Sequence, residues 1–512
     1  MSHLKYKLIA AAVAFAVSAP AVFAAEPTVG GTESVQAWYD GGQKHVADAK
    51  KVFPNNRRAK NVILFVGDGM GVSTLTAARI LEGQMKGATG EENRLSFESF
   101  PNVALSKTYS WDQQTSDSAP TMTAMVTGYK GREGQLSVNH TTTRGECSAA
   151  VTAANALPTI LEQAAAAGKA TGIVSTARIT HATPAATYAH TAVRDWEHNG
   201  QVAAACAGVA DPVKDIARQL IEVSPAVKSS LKVALGGGRE YFRHNTQFDP
   251  EYATKKGLRT DSRDLTAEWV STRGANAKFV YDNASFSAAN PASTDYLLGL
   301  FERSHMQYEA DRTKTAAGEP SLTEMTEKAV AMLKKNQGGF FLHVEAGRID
   351  HAHHAGNAKR ALLDTIELSN AVRKAAEMTD PNDTLILVTA DHSHVFTIAG
   401  YPHRGNDILG LAREVPNVDG DTPSNSLAGD SKPYTTLGYH NGPGAINGTR
   451  EDLTAVDTTA VGYMQQATVP MGSETHAGED VAIYATGPKA HLVRGSMEQN
   501  WIYHVMRDAF GF

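Results

Sequence analysis

The run from Glu345 through Asp350, His351 and His353 to His354 concentrates two carboxylates and three imidazoles in ten residues. In a helix, Asp350 and His354 stand at i and i+4 on one face, where a carboxylate and an imidazole can grip one metal ion. Other acids, imidazoles and hydroxyls stand where strand-like runs end: Asp68, then His181 and Thr183, then Asp391 beside His392. Oxygen and nitrogen donors without thiolates suit zinc where histidine is present, and magnesium where carboxylate, hydroxyl and water dominate. Paired ions of this kind clamp the attacking and leaving oxygens of an in-line displacement. Such chemistry needs a nucleophile, and the segment 115–124 offers Ser118 just before a predicted short helix with Pro120 in its first turn. The local sequence leaves two readings open. Ser118 is either the residue that caps that helix or a nucleophile placed where helix N–H groups and the helix dipole attract phosphate.

The elements that must position these residues follow one grammar. A compact apolar run at 62–66 ends in Gly67, Asp68 and Gly69, and a helix is expected over 72–81. Helical stretches at 158–167, 322–335 and 359–378 each precede a β-rich run, at 171–175, 340–344 and 384–389. Short runs apolar throughout read as strands buried on both faces, and their alternation with helices implies a parallel sheet with helices on each side. The fold class is therefore α/β, a three-layer sandwich with a central mostly parallel sheet. Ligands of such sheets bind beyond the carboxyl ends of the strands, which is where the acids and imidazoles fall. From about residue 400 to 475 the alternation gives way to Gly, Pro, Asn, Asp and Thr, the composition of an inserted subdomain. A strand at 480–485 and a helix at 496–509 then close the chain. The expected organisation is a signal peptide at 1–24, an N-terminal arm at 25–60, a catalytic core at 61–399, the insertion at 400–475 and the end of the core at 476–512.

Lys5 and Lys7 precede an apolar stretch and a small-residue cleavage site ending at Ala24, the pattern of an export signal, so the mature chain is expected to be periplasmic or secreted. The stretch is short for a bilayer of about 30 Å, and no membrane span is expected in the mature chain. Removing it takes away two lysines and no acid, moving the formal charge from −6 to −8, which gives no indication of nucleic-acid binding. Cys147 and Cys206 can pair in an exported protein, or can remain two free buried thiols.

Several long segments, in order from about residue 55 to the C-terminus, resemble the alkaline phosphatases: 61–80 around Asp68, 115–124 around Ser118, 345–357, 389–396 and 474–488. The resemblance implies hydrolysis of phosphate monoesters at alkaline pH through a phosphoserine on Ser118. It implies one zinc held by Asp350, His354 and His476, and a second held by Asp68, Asp391 and His392 with Ser118 as fourth ligand. Magnesium would take Asp68, Thr183, Glu345 and water, and Arg194 would grip the phosphate. His181 and His351 follow the animal-type pattern, near the magnesium waters and the phosphate respectively. A calcium ion held by Glu251, Phe301, Glu302 and Glu319 is implied too, although Glu319 replaces an aspartate and the loop before it is longer, so three surface acids without an ion is the alternative. The insertion resembles the crown used at the dimer interface, which implies a homodimer, and the cysteines fall where animal-type members have a disulfide. The partners implied are small phosphomonoesters and inorganic phosphate. Two other functions compete: a phosphodiesterase or sulfatase on the same two-metal plan, and a noncatalytic phosphate- or metal-binding protein of the cell envelope.

Overall fold

In chain order the protein lays down β1 (Asn61–Gly67), β2 (Asn102–Lys107), β3 (Ala170–Arg178), β4 (Leu231–Gly237), β5 (Ala277–Val280), β6 (Tyr296–Leu300), β7 (Phe340–Ala346) and β8 (Thr384–Ala390). Short pieces follow: β9 (Ser393–His394), β10 (Phe396–Ile398), β11 (Leu437–Gly442), β12 (Ala467–Pro470) and β13 (His476–Ala477), before β14 (Val481–Thr486) and β15 (Gly495–Glu498). This computed structural model describes residues 34–314 and 317–512, so the expected signal at 1–24 and the first part of the arm lie outside the described residues. Ten strands form one sheet in the order β15-β2-β14-β8-β1-β7-β3-β4-β6-β5. Within it β14 alone runs against its neighbours, β2 and β8.

The central strands β1, β7 and β8 are buried along their whole length, as parallel strands covered on both faces must be. Alternate residues of β1 serve two cores. Ile63 and Phe65 pack with the helices Val72–Met85, Leu322–Leu333 and Ala358–Met378. Val62, Leu64 and Val66 pack with the helices Ser118–Thr127, Ile160–Ala166 and Trp501–Phe510. The architecture is thus a three-layer α/β sandwich, as the alternation implied.

The sequence reading left β2 and β4 to β6 undrawn, and it placed a helix at 496–509 where the structure has β15 first. Residues 495–498 pair parallel with β2, so an edge position in the sheet overrides the local helical pattern, and the helix starts only at Trp501. β11 and β12 of the inserted region make a separate three-stranded sheet with β10, which lies just before it. Cys147 and Cys206 are joined in a disulfide, which settles the two alternatives for the thiols. No helix among the described residues is long and apolar enough to cross a membrane.

One core residue stands out. His343, in the middle of β7, is fully buried, neither ring nitrogen has a hydrogen-bond partner, and burial pushes its pKa down to about 3. The native state therefore keeps the ring neutral, while the unfolded chain takes up a proton as pH falls below about 6.5. Stability is lost progressively from that pH down towards 3. His343→Leu is expected to gain about 1–2 kcal/mol at neutral pH by removing two unsatisfied polar atoms, and more at pH 5. Thermal unfolding at both pH values checks this; a gain that does not grow on acidification would count against it.

Candidate functional site

Four parallel strands deliver their carboxyl ends to one edge of the sheet. Asp68 follows β1, Glu345 is the penultimate residue of β7, Asp391 and His392 follow β8, and His181 and Thr183 follow β3. Because β14 is antiparallel, the chain entering it arrives at this same edge and brings His476, in β13, which pairs antiparallel with His394 of β9. The turn after β1 is tight. Gly69 has φ +69°, its Cβ would stand 2.4 Å from the His394 ring, and its N–H donates to Asp391 Oδ1 at 3.0 Å. A side chain at this position would push the two strand ends apart.

Two sets of donors converge. His354 Nε2 lies 3.3 Å from Asp350 Oδ1, His476 Nε2 lies 3.3 Å from the same oxygen, and the two imidazole nitrogens are 3.2 Å apart. In the second set His392 Nε2 is 3.3 Å from Asp68 Oδ1 and 3.3 Å from Asp391 Oδ2, while Ser118 Oγ is 3.1 Å from His392 Nε2 and 3.3 Å from Asp68 Oδ1. Ligands bound tetrahedrally to zinc at about 2.0 Å stand about 3.3 Å from one another. Both sets already have that edge length. The i, i+4 pair expected of Asp350 and His354 is met in the helix Arg348–His354.

Beside the second set lies a group of buried polar atoms without hydrogen-bond partners: Asp68 Oδ2, Asp391 Oδ2, Thr183 Oγ1, Glu345 Oε1 and His181 Nδ1. Buried orphans of this kind are costly unless a cation or water completes them. Burial, with Asp391, Asp350 and Glu345 nearby, drives the Asp68 carboxyl well above its usual range. Burial also raises Asp391 and pushes Glu345 up to about 7. Burial acts on Asp350 the same way, but His354, His394 and His476 outweigh it and hold that carboxyl well below the usual range. Neutral carboxyls must lose protons to bind a cation. Magnesium affinity is therefore expected to rise with pH up to about 7 and to fall by about tenfold per pH unit below it. Isothermal titration of Mg²⁺ between pH 5 and 8 checks this, and a flat profile would remove Glu345 from the site.

Ser118 is not the helix cap. Asp117 holds that position, accepting the Ala119 N–H at 3.0 Å, and Ser118 is the first residue of the helix Ser118–Thr127. Its hydroxyl is thereby left free to face His392 and Asp68 at the positive end of the helix. Arg194 reaches in from the loop after β3: its Nη2 is 2.9 Å from His181 Nε2 and its Nη1 3.7 Å from Asp117. His351 stands next to His181, ring centroids 5.4 Å apart. Burial, reinforced by Arg348, pushes His351 down to about 3, and burial with Arg194 pushes His181 well below its usual value. Both rings are neutral at working pH.

Sequence reasoning missed the support behind Asp350. His394 Nε2 donates to Asp350 Oδ1 at 2.8 Å, and its Nδ1 meets Glu474 Oε2 at 2.5 Å. Burial opposes the charge on His394, yet the hydrogen bonds to Asp350 and Glu474 lift it to about 9. A positively charged ring here orients the Asp350 carboxylate, as the outer partners of a metal site would. The spacing offered a signal: His394 and Glu474 each lie two residues from a site histidine, His394 in β9 and Glu474 just ahead of β13, the strand that pairs with it. Ser175 of β3 also went unnoticed; its hydroxyl donates to Glu345.

Away from this edge, Glu251, Glu302 and Glu319 approach one another. Burial, aided by Glu302 and Glu251, pushes Glu319 up to about 8, and its Oε1 has no partner. Glu251 already pairs with the buried Arg239 at 3.1 Å, and Glu302 accepts from the Gln307 amide at 3.1 Å. Phe301 directly follows the end of β6.

A family model described as alkaline phosphatase matches residues 59–512. The tissue-nonspecific alkaline phosphatase of Gallus gallus is 46% identical over 480 residues, covering 92% of this chain and 88% of the relative. The alkaline phosphatase of Gadus morhua is 45% identical and covers 92% and 96%. Among solved structures, the alkaline phosphatase of Thermus thermophilus superposes with a TM-score of 0.62 at 24% identity, over 90% of this chain and 92% of that one.

Proposed function

The chain belongs to the alkaline phosphatase family and hydrolyses phosphate monoesters, and from that premise we propose that it does so through a phosphoserine on Ser118. The carrying observation is the pair of donor sets with mutual spacings of 3.1–3.3 Å, the second of which includes that hydroxyl. One zinc is assigned to Asp350, His354 and His476, the other to Asp68, Asp391 and His392 with Ser118. Magnesium is assigned to Asp68, Thr183 and Glu345, whose orphaned oxygens suit a hard cation. When bound, such ions supply Lewis acidity that acidifies a hydroxyl or water and offsets charge on the attacking and leaving oxygens.

The chain's own residues do the rest. Ser118 Oγ forms the bond to phosphorus as the ester oxygen leaves; in the second step a water oxygen bonds phosphorus and the bond to Ser118 breaks, releasing inorganic phosphate. With the Ala119 N–H taken by Asp117 and Pro120 having none, the Ser118 N–H at the start of the Ser118–Thr127 helix is the backbone donor that would face a phosphoryl oxygen. Arg194 turns its planar fork from His181 towards two of those oxygens, while Asp117 keeps a hold on its other nitrogen. The neutral His181 offers a donor towards the magnesium waters, and the neutral His351 borders the phosphate without adding charge, which favours product release.

We also assign calcium to Glu251, Glu302, Glu319 and the Phe301 carbonyl, a homodimer to the crown-like insertion 400–475, and export to the N-terminal signal pattern. The diesterase and sulfatase alternatives are tested together with the main reading by comparing an aryl phosphate monoester with its diester and its sulfate. Turnover of the monoester should exceed both by orders of magnitude at alkaline pH. Equal turnover of the diester would replace the monoesterase reading.

A further inference from the structure

His305 was not singled out by any sequence motif, yet it joins two residues of the catalytic edge. The turn after β6 sets its ring against His351, centroids 4.0 Å apart, and edge-on to His181 at 5.2 Å. Each of the three imidazoles offers a nitrogen, and the three nitrogens lie within 4.8 Å of one another. All three side chains are only part-buried, so solvent reaches the cluster.

Each ring is met by a guanidinium: Arg178 Nη1 at His305 Nε2, Arg194 Nη2 at His181 Nε2 at 2.9 Å, and Arg348 Nη1 at His351 Nδ1 at 3.0 Å. A guanidinium only donates, so His181 and His351 each turn a bare lone pair to that contact; His305 faces Arg178 donors at both nitrogens, the backbone N–H at Nδ1 and Nη1 at Nε2, and turns its one lone pair to one of them. A lone pair is what a metal ion requires. Each arginine also has a second anchor that it can keep. Glu197 grips Arg178 through two bonds of 2.8 and 2.7 Å, Asp117 faces Arg194, and the Tyr308 ring lies 3.7 Å below Arg348. The imidazoles can therefore be released without stranding a buried cation.

We propose that His181, His305 and His351 form an additional, exchangeable site for a late first-row transition ion at the mouth of the catalytic pocket, separate from the zinc, magnesium and calcium assignments above. An all-imidazole set selects zinc, nickel, cobalt or copper over magnesium and calcium. Three ligands at a solvent-facing position leave room for water, so the ion exchanges readily. Occupancy draws His181 away from Arg194 and places a cation where the arginine must swing, so it raises KM for a monoester more than it lowers kcat. This kinetic consequence rests on the phosphate-gripping role given to Arg194; ion binding itself does not.

The test uses Ni²⁺ as probe on enzyme already loaded with zinc and magnesium. After equilibrium dialysis we expect one additional nickel per chain with zinc and magnesium counts unchanged, and KM raised several-fold. His305→Asn and His305→Gln, checked for folding by zinc content and thermal midpoint, should each lose the extra nickel and at least tenfold of the inhibition by Ni²⁺. No extra nickel in the parent enzyme, nickel taken up only as zinc or magnesium is lost, or undiminished nickel in both variants would each overturn the site. Nickel bound without a change in KM leaves the site standing and counts against the role given to Arg194.

Discussion

Ser118→Ala is expected to lower monoester turnover by at least about a thousandfold while leaving metal content and stability nearly unchanged. In the proposed mechanism the hydroxyl is the one atom of the second donor set that serves as both ligand and nucleophile, so its removal would delete the covalent step. Asp68, Asp391 and His392 remain in place to hold an ion. Asp117, not Ser118, caps the helix, so the fold loses little; stability should fall by about 1 kcal/mol or less. The converse variant separates the two roles. Asp117→Ala should cost about 1 kcal/mol of stability through the lost cap. The measurements are steady-state turnover, metal analysis and thermal unfolding. Unchanged turnover in Ser118→Ala would end the phosphoserine mechanism and favour a noncatalytic binding protein.

Chelation should have the second large effect, on activity and stability together. Asp68, Asp391 and Glu345 are fully buried, and each keeps one oxygen without a hydrogen-bond partner that, in the absence of a cation, is eased by taking up a proton. An ion bound at a thousand times its dissociation constant adds about 4 kcal/mol to stability, so stripping two or three ions should lower the unfolding midpoint on the order of 10 °C. Activity should fall to background and return with zinc plus magnesium. The expected content of active enzyme is two zincs and one magnesium per chain. Full activity after exhaustive chelation, with metal shown to be gone, would overturn the whole site.

The parts of the site carried by strand ends were legible because two independent signals coincide there. At Asp68 and Asp391 an apolar run buried on both faces stops at an acid, and the parallel sheet then fixes where that acid points. The helix holding Asp350 and His354 was legible from spacing alone. Ser118 was not, since its sequence fits a cap equally well and only the geometry of Asp117 decides. His305 was illegible for another reason: it sits in an irregular turn after β6, a strand the sequence reading did not draw, and nothing periodic leads to it. The helix expected from residue 496 failed because β2 recruits the first residues as an edge strand, a contact between segments almost four hundred residues apart. His343 shows the limit of patterning, since a histidine amid apolar residues of β7 reads as a strand position and gives no hint of its unsatisfied nitrogens.

The reversed strand β14 has a consequence for how the molecule is made. Each proposed donor set draws on widely separated parts of the sequence, with Asp68 near the beginning of the described chain and His476 close to its end. A chain emerging in order from the ribosome cannot complete the set of Asp350, His354 and His476 until the final stretch has appeared and folded back beside β8. On the proposed zinc assignment, loading of that centre is expected to be a closing step of biogenesis, which fragments released early should not complete. A proteolytic cut that frees the tail after the insertion would disarm the enzyme while most of the sheet stays intact.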